Sequence, residues 1–202
     1  MHLQLRYSPA SPFVRKVLVC AHETDLTDRI ELIPTDVWAP DCDIGRDNPL
    51  GKVPALIGPD GTFIGSLLCC EYLDSLHKRQ PLIPSAPAER WPALRVHALA
   101  DGVMEAAVAH VIERFRRPRA LVYDGYLERQ IGKIDRTLDA IQTVMPLLGE
   151  RVDIATISVA CALGYLDFRL PQLDWRRDRP ALASWNAAFS ARPSLQATTP
   201  HL

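Results

Sequence analysis

The sequence predicts two unlike parts, a small mixed α/β domain followed by an all-α domain. Residues 1–79 mix short strand and helix patterns. A connector over residues 80–87 contains three prolines, which make it stiff and extended. Beyond it, apolar residues recur every three or four positions and no convincing strand is found. We therefore expect a first domain over residues 1–79, a linker over 80–87 and a helical domain over 88–202.

The first half of the α/β domain shows a strand, a helix and a second strand. Residues 2–7 alternate polar and apolar side chains, which predicts a half-buried strand. Ser11 is a favoured helix N-cap and Pro12 suits the first helical position, so we expect a helix to begin there. Residues 31–34 are a plausible second strand.

The second half of this domain is predicted to be a hairpin and a helix. Residues 53–57 and 62–64 flank a Gly-Pro-Asp-Gly turn, which predicts an antiparallel pair of strands. Ser66 is expected to cap the next helix, with Leu68 among its inward-facing residues. The order βαβαββα predicts a mixed four-stranded sheet covered by helices.

Helical periodicity accounts for the second domain. Apolar spacing predicts one long helix from Ala88 toward Arg117 and another over residues 127–145. A third, apolar on most sides, follows Asp153 and Thr156, which are spaced as in a capping motif. A shorter helix is expected from Pro180. These elements predict an all-α bundle.

Composition excludes several classes of function. A net charge of −1 over 202 residues argues against a nucleic-acid binder or a membrane-surface protein. No apolar run reaches the ~18 residues that a membrane span needs, and no signal-peptide pattern is present. Five cysteines without zinc spacing predict no metal site and free thiols in a cytoplasmic protein.

The segment 48–56 places Pro54 at the entrance of a predicted strand. Proline cannot donate to a sheet ladder, and X-Pro is the peptide bond for which the cis form is accessible. A cis Val53–Pro54 bond would leave the Val53 N–H and C=O free to pair with an extended peptide ligand. The alternative is a loop proline before an ordinary edge strand.

Four motifs together resemble the cytosolic glutathione S-transferase family, in its bacterial, serine-type form. They are residues 11–17 (SPFVRKV), 48–54 (NPLGKVP), 66–73 (SLLCCEYL) and 160–169 (ACALGYLDFR). The resemblance implies a thioredoxin-like domain followed by an all-α domain. It also implies activation of glutathione for attack on a small hydrophobic electrophile, with glutathione as co-substrate and no other cofactor.

The family's catalytic serine corresponds to Ser11, with Ser8 as its rival. A thiol has a pKa of about 8.5, and lowering it by ~2 units needs about 2.7 kcal/mol of differential stabilisation. One charge-assisted hydrogen bond and a helix N-terminus together supply that amount. The alternative is that Ser11 only caps its helix.

The other motifs imply contacts with the glutathione peptide. By resemblance, Val53 and Pro54 meet the cysteinyl part, Lys52 faces the glycyl carboxylate and Ser66 receives the γ-glutamyl carboxylate. Gly65 departs from the family pattern, which has an acidic residue or glutamine there to contact the ligand's ammonium group. One charge-assisted contact, about 1.5–3 kcal/mol, is therefore missing.

Further candidate residues have both structural and functional interpretations. Arg15 is expected to pair with an acid across the fold or to help hold a thiolate. Asp101 is either a surface carboxylate or a group reaching the partner subunit's ligand. Trp38, His110 and Arg114 are candidates for the acceptor pocket.

The resemblance also implies a homodimer. A different function, a non-catalytic binding or interaction protein with the same fold, is favoured by Gly65.

Overall fold

The computed structural model describes residues 2–145, 149 and 151–202, and the chain divides into two compact units. The second unit is Pro84–Arg192, so the division falls within the predicted connector. The first unit precedes it and also includes Pro193–Leu202, which we had expected in the helical domain. These residues belong to the first unit because Leu195 is buried and its carbonyl accepts a hydrogen bond from Arg15 at 3.0 Å.

A four-stranded mixed sheet forms the centre of the first unit, which confirms the predicted α/β class. The strands are β1 (Leu3–Tyr7), β2 (Ile30–Pro34), β3 (Ala55–Gly58) and β4 (Gly61–Ile64), in the order β2-β1-β3-β4. β1 runs parallel to β2, and both β1 and β4 run antiparallel to β3. The predicted hairpin is therefore the β3–β4 pair.

Two helices pack on this sheet, α1 (Pro12–Glu23) and α2 (Ser66–Ser75). Between β2 and β3, where the expected order has a helix, the structure has a short 3-10 turn at Ile44–Arg46. This segment contains Pro40, Gly45 and Pro49, which interrupt helical hydrogen bonding or disfavour it.

The start of α2 differs from the sequence prediction. Its N-cap is Gly65, at φ 81°, and Ser66 is its first helical residue. Leu68, expected to face inward, is 47% exposed, because the buried face is formed by Ser66, Cys69, Cys70 and Leu73. These positions are spaced by three and four residues, and Leu68 lies off that stripe.

The second unit is helical, as predicted. Its helices are α3 (Pro87–Phe115), α4 (Asp124–Thr143), α5 (Ile154–Arg169) and α6 (Pro180–Ser190). Residues Ile154–Leu163 of α5 are all buried, as expected of a central bundle helix. The capping motif is confirmed: Asp153 Oδ1 accepts from the Thr156 amide at 3.1 Å, and the Asp153 amide donates to Thr156 Oγ1 at 3.0 Å.

The chain then returns to the first unit through α7 (Pro193–Ala197). Besides the Arg15–Leu195 hydrogen bond, the Ser194 hydroxyl hydrogen-bonds Glu23 at the end of α1. α7 is therefore anchored along α1. Across the described ranges, each helix is too short or too polar to span a lipid bilayer.

Four of the five free cysteines are buried, and Cys42 is half-buried. The Cys69 thiol donates to the carbonyl of Phe63 at 3.3 Å. Burial raises the pKa of Cys69 to about 12. The folded protein therefore keeps a proton on Cys69 at pH values where the unfolded chain has lost it.

We expect the free energy of unfolding to fall as the pH rises above about 9, because only the unfolded chain then releases the Cys69 proton. The slope from this group is about 1.4 kcal/mol per pH unit until the pH approaches its folded pKa. Urea unfolding between about pH 8 and 10.5 measures it. Cys69→Ala should start less stable, because of the cavity, but lose less stability over this range. Equal slopes would contradict the prediction.

Candidate functional site

One end of the sheet brings together the loops that carry the predicted site. Ala55, the first residue of β3, is paired with Arg6 of β1 on one side and with Ile64 of β4 on the other. Neighbouring strands lie about 4.8 Å apart. The end of β1, the start of β3 and the end of β4 are therefore neighbours. The loops that follow β1, precede β3 and follow β4 all start from this end of the sheet. These three loops carry the predicted site residues of the first unit: Ser8 and Ser11; Lys52, Val53 and Pro54; Gly65 and Ser66.

The chain leaving β1 makes a tight turn between two serines. The Ser11 amide donates to the carbonyl of Ser8 at 3.1 Å. Pro9 occupies the second position of this turn, which suits its fixed φ. Ser8 and Ser11 are both half-buried, so the turn places two hydroxyl groups beside the start of α1.

Ser11 is the N-cap of α1, as the sequence predicts. Its Oγ accepts a hydrogen bond from the Val14 amide at 3.3 Å. Accepting uses only a lone pair of the oxygen, so the hydroxyl hydrogen stays available for donation. The helix N-terminus also favours a nearby negative charge. The hydroxyl and the helix together can stabilise an anion placed before α1.

The chain entering β3 passes through a cis peptide bond between Val53 and Pro54, as the sequence suggested. The paired register of β3 begins at Ala55, so Val53 precedes the ladder. Val53 is half-buried and Lys52 is exposed, next to it. The main chain of Val53 and the residue Lys52 thus lie at the same end of the sheet as Ser11.

Asn48 shapes the loop before Val53, a role that the sequence analysis did not assign. Its side chain is almost fully buried and donates from Nδ2 to the carbonyl of Lys52 at 2.7 Å. Its Oδ1 accepts from the Leu50 amide at 3.0 Å, and its carbonyl accepts from the Gly51 amide at 2.9 Å. Asn48 therefore closes the loop that presents Lys52 and Val53.

Arg6 anchors the longer segment from which this loop emerges. The alternation of polar and apolar residues in β1 predicts an exposed side chain at Arg6, but Arg6 is only 9% exposed. Its Nε donates to Thr35 Oγ1 at 2.9 Å, Nη1 donates to Asp47 Oδ2 at 2.7 Å, and Nη2 donates to Asp43. The hydrogen bond from Arg6 holds the pKa of the Asp43 carboxyl below its usual range. The segment between β2 and β3 is thereby tied to β1 near the site.

The chain leaving β4 turns at Gly65 and enters α2. Gly65 has φ 81° and ψ 126°, and a Cβ built on it would meet no other atom within 4 Å. No side chain caps the N-terminus of α2. Ser66, its first residue, is 5% exposed, and its hydroxyl hydrogen-bonds no group in the part of the chain described here. This turn offers a second helix N-terminus and a second hydroxyl to an anion.

Arg15 and Trp38 complete the candidates in the first unit. Arg15 is 8% exposed, and its partner is the carbonyl of Leu195 rather than the expected acid. The carbonyl takes that place because α7 packs along α1. The Arg15 Nε has no partner among the described groups. Trp38, four residues beyond β2, is 49% exposed, and its amide donates to Asp36 Oδ1 at 2.9 Å.

The remaining three candidates lie on α3, in the second unit. The Asp101 carboxylate lies 3.4 Å from Nε2 of His97, one turn earlier on the helix. His110 is buried, and its Nδ1 has no hydrogen-bond partner among the described residues. Burial, and secondly the charge of Arg114, lower the pKa of His110. Arg114 is exposed and lines a cleft at the end of α3.

Sequence reasoning missed Arg6 and Asn48 for different reasons. The alternation of β1 puts Arg6 on a polar face, and its partners lie 29 to 41 residues away. Asn48 gave a local signal, since asparagine hydrogen-bonds its own loop main chain two residues on.

Over residues 2–145, 149 and 151–202, no group of three or more His, Cys, Asp or Glu side chains is placed to hold a metal ion.

Comparisons with known proteins cover nearly the whole chain. Residues 10–76 match the family described as glutathione S-transferase, N-terminal domain, and residues 124–188 match glutathione S-transferase, C-terminal domain. The uncharacterized GST-like protein YibF of Escherichia coli strain K12 is 35% identical over 202 residues, which are 98% of this chain and 98% of that protein.

Solved structures agree with these sequence matches. A glutathione transferase family member from Pseudomonas fluorescens Pf-5, crystallised with bound glutathione, is 44% identical, with a TM-score of 0.94 over 99% of this chain and 100% of that one. A glutathione S-transferase from Methylobacillus flagellatus KT, also with glutathione bound, is 36% identical, with a TM-score of 0.91 over 98% and 100% of the chains. The chain belongs to the glutathione S-transferase family.

Proposed function

We propose that the protein is a glutathione transferase that holds the glutathione thiol as a thiolate and directs it at an electrophilic carbon. One observation carries the proposal: the Ser11 hydroxyl caps α1 while keeping its hydrogen free to donate, at the same end of the sheet as Val53 and Ser66. The Pseudomonas fluorescens relative with bound glutathione supports glutathione as the ligand.

Glutathione is an extended tripeptide, and the three loops offer groups that match its parts. The main chain of Val53 pairs with the cysteinyl residue, as an added strand pairs with a sheet edge. The Ser66 hydroxyl and the uncapped N-terminus of α2 bind the γ-glutamyl carboxylate. The Lys52 ammonium faces the glycyl carboxylate. The glutathione sulfur then lies toward Ser11.

Catalysis follows from stabilising the charged form of the sulfur. The thiol proton leaves to solvent, and the Ser11 hydroxyl donates a hydrogen bond to the thiolate. The thiolate forms a bond to the electrophilic carbon, and the leaving group departs with the bonding electron pair. Ser11, and with it the serine-type subclass, stays a prediction, with Ser8 as the alternative donor three residues earlier in the same turn.

A second candidate function is a binding or interaction protein that keeps the fold without turnover. Gly65 favours it, because the site lacks a side chain that would meet the ammonium group of glutathione. We rank it second because the Ser11 and Ser66 hydroxyls and the Lys52 ammonium are groups suited to a thiolate and two carboxylates. A small hydrophobic electrophile and a cytoplasmic location stay predictions from the sequence.

Replacing Ser11 with alanine tests the proposal. In Ser11→Ala we expect the pKa of the bound glutathione thiol to rise by about one to two units, because the charge-assisted hydrogen bond is lost. The thiolate absorbs in the ultraviolet, so a pH titration of the complex measures this pKa directly. Conjugation of a chlorinated nitrobenzene should slow by roughly ten- to a hundredfold at neutral pH.

Ser8→Ala is the matched control, since it removes the other hydroxyl of the turn. We expect it to leave the thiol pKa near the wild-type value. A shift in Ser8→Ala and none in Ser11→Ala would move the role to Ser8. Failure of the wild-type protein to bind glutathione would favour the non-catalytic alternative.

Gly65 gives an independent test of how glutathione is bound. A residue with a side chain at this position must adopt a positive φ, which costs on the order of 1–3 kcal/mol. The side chain itself would meet no neighbouring atom within 4 Å at its Cβ. We therefore expect Gly65→Glu to lower the melting temperature. We also expect it to bind glutathione at least tenfold more tightly, because a carboxylate then meets the ammonium group. Calorimetric titration measures the affinity.

Gly65→Ala serves as the control, because it carries the same backbone cost without a carboxylate. It should show a similar loss of thermal stability and no gain in affinity. Glutathione binding that is equal in Gly65→Glu and Gly65→Ala would show that the ammonium group lies elsewhere.

We also propose that the protein is a homodimer, as the family resemblance implies. Light scattering at micromolar concentration should give about twice the 22.5 kDa mass of one chain. A mass of one chain at that concentration would overturn this proposal without bearing on the chemistry of Ser11.

A further inference from the structure

A cleft of about 660 Å³ lies in the second unit, where α3 ends and α4 begins. It is lined by three arginines, one acid and two apolar residues: Arg114, Arg117, Arg119, Asp124, Phe115 and Val122. Its volume is in the range of small-molecule sites, about 300–1,000 Å³. Such sites are usually apolar, so the charge of this lining indicates what it binds.

Arg117 has a carboxylate partner. Its Nε donates to Glu113 Oε2 at 2.8 Å, and Glu113 Oε1 accepts from the Tyr123 amide at 2.9 Å. The hydrogen bond from the Tyr123 amide, and secondly that from Arg117, hold the pKa of the Glu113 carboxyl below its usual range. Glu113 therefore fixes both Arg117 and the chain that leads into α4.

Arg114 and Arg119 have no such partner. Neither forms an ion pair or a hydrogen bond with another of the described residues, and both are exposed. Helix dipoles favour cations near a C-terminus, which accounts for arginines in the last turn of α3. Arg119 lies beyond that turn, in a separate 3-10 turn, so the dipole of α3 does not explain it.

Two further features of the cleft suit an anion with an aromatic body. Phe115 is 65% exposed, and the Arg169 guanidinium carbon lies 5.9 Å from its ring centroid. α4, a helix of 20 residues, begins at Asp124 with no side-chain cap on its first turn. Its free amide groups favour negative charge, in addition to the two arginines.

We propose that this cleft binds an aromatic carboxylate. The carboxylate pairs with the guanidinium groups of Arg114 and Arg119, which match its planar geometry. The aromatic ring lies against Phe115 and Val122. Such binding uses residues of the second unit alone, so it does not depend on the role proposed for Ser11.

Titration of the full-length, glutathione-free protein with 1-naphthoate tests the proposal. Methyl 1-naphthoate is the neutral comparison, because it keeps the ring system and loses the charge. We expect 1-naphthoate to bind at least tenfold more tightly than the ester, with an affinity that falls as salt is added. Arg114→Gln and Arg119→Gln should each weaken 1-naphthoate binding at least fivefold and leave ester binding unchanged.

Arg116→Gln is the matched control, since it removes the same charge from the same helix end outside the cleft lining. It should bind 1-naphthoate like the wild type. The proposal fails if the wild type does not bind 1-naphthoate, if the ester binds equally well, or if all three variants weaken binding alike. All three positions are exposed, and the melting temperature of each variant shows separately whether it is folded.

Discussion

The buried guanidinium of Arg6 is the interaction on which the candidate glutathione site depends most. A cation withdrawn from water needs hydrogen bonds and opposite charge, and Arg6 obtains both from Thr35, Asp43 and Asp47. All three belong to the irregular segment between β2 and β3. Beyond β2, the Thr35 amide donates to the Tyr7 carbonyl at 2.8 Å, and the side-chain hydrogen bonds of Arg6 hold the rest of the segment against β1. Asn48 then shapes its last part, just before Val53.

Strand pairing determines where the reactive groups stand, and helix ends determine their chemistry. Ala55 is paired on both sides, so three separate loops begin at one end of the sheet. Two of these loops lead directly into helices, α1 and α2. Each helix begins with main-chain amide groups and a serine hydroxyl, and both favour anions. A ligand with a thiolate and a carboxylate can therefore place each negative charge at the start of a helix, beside free amide groups and a serine hydroxyl.

The features predicted correctly from the sequence are local ones. The cap at Ser11, the hairpin and the Asp153–Thr156 capping box each involve residues within a few positions of one another. Two features that the sequence did not reveal are contacts with distant partners. The burial of Arg6 depends on residues up to 41 positions away, and the return of Leu195 to Arg15 spans 180 positions. Periodicity alone also misplaced Leu68, because the buried face of α2 is formed by its cysteines together with Ser66 and Leu73.

The return of α7 has a consequence for how the chain folds during synthesis. Everything needed for the sheet is made early, but the carbonyl that accepts from Arg15 is supplied only after the whole helical unit has been translated. Until then the Arg15 guanidinium on α1 lacks that acceptor. The first unit is thus discontinuous in the gene, and the amino-terminal stretch on its own is an incomplete folding unit. A truncated fragment ending at the connector would leave uncovered the surface of α1 that α7 protects.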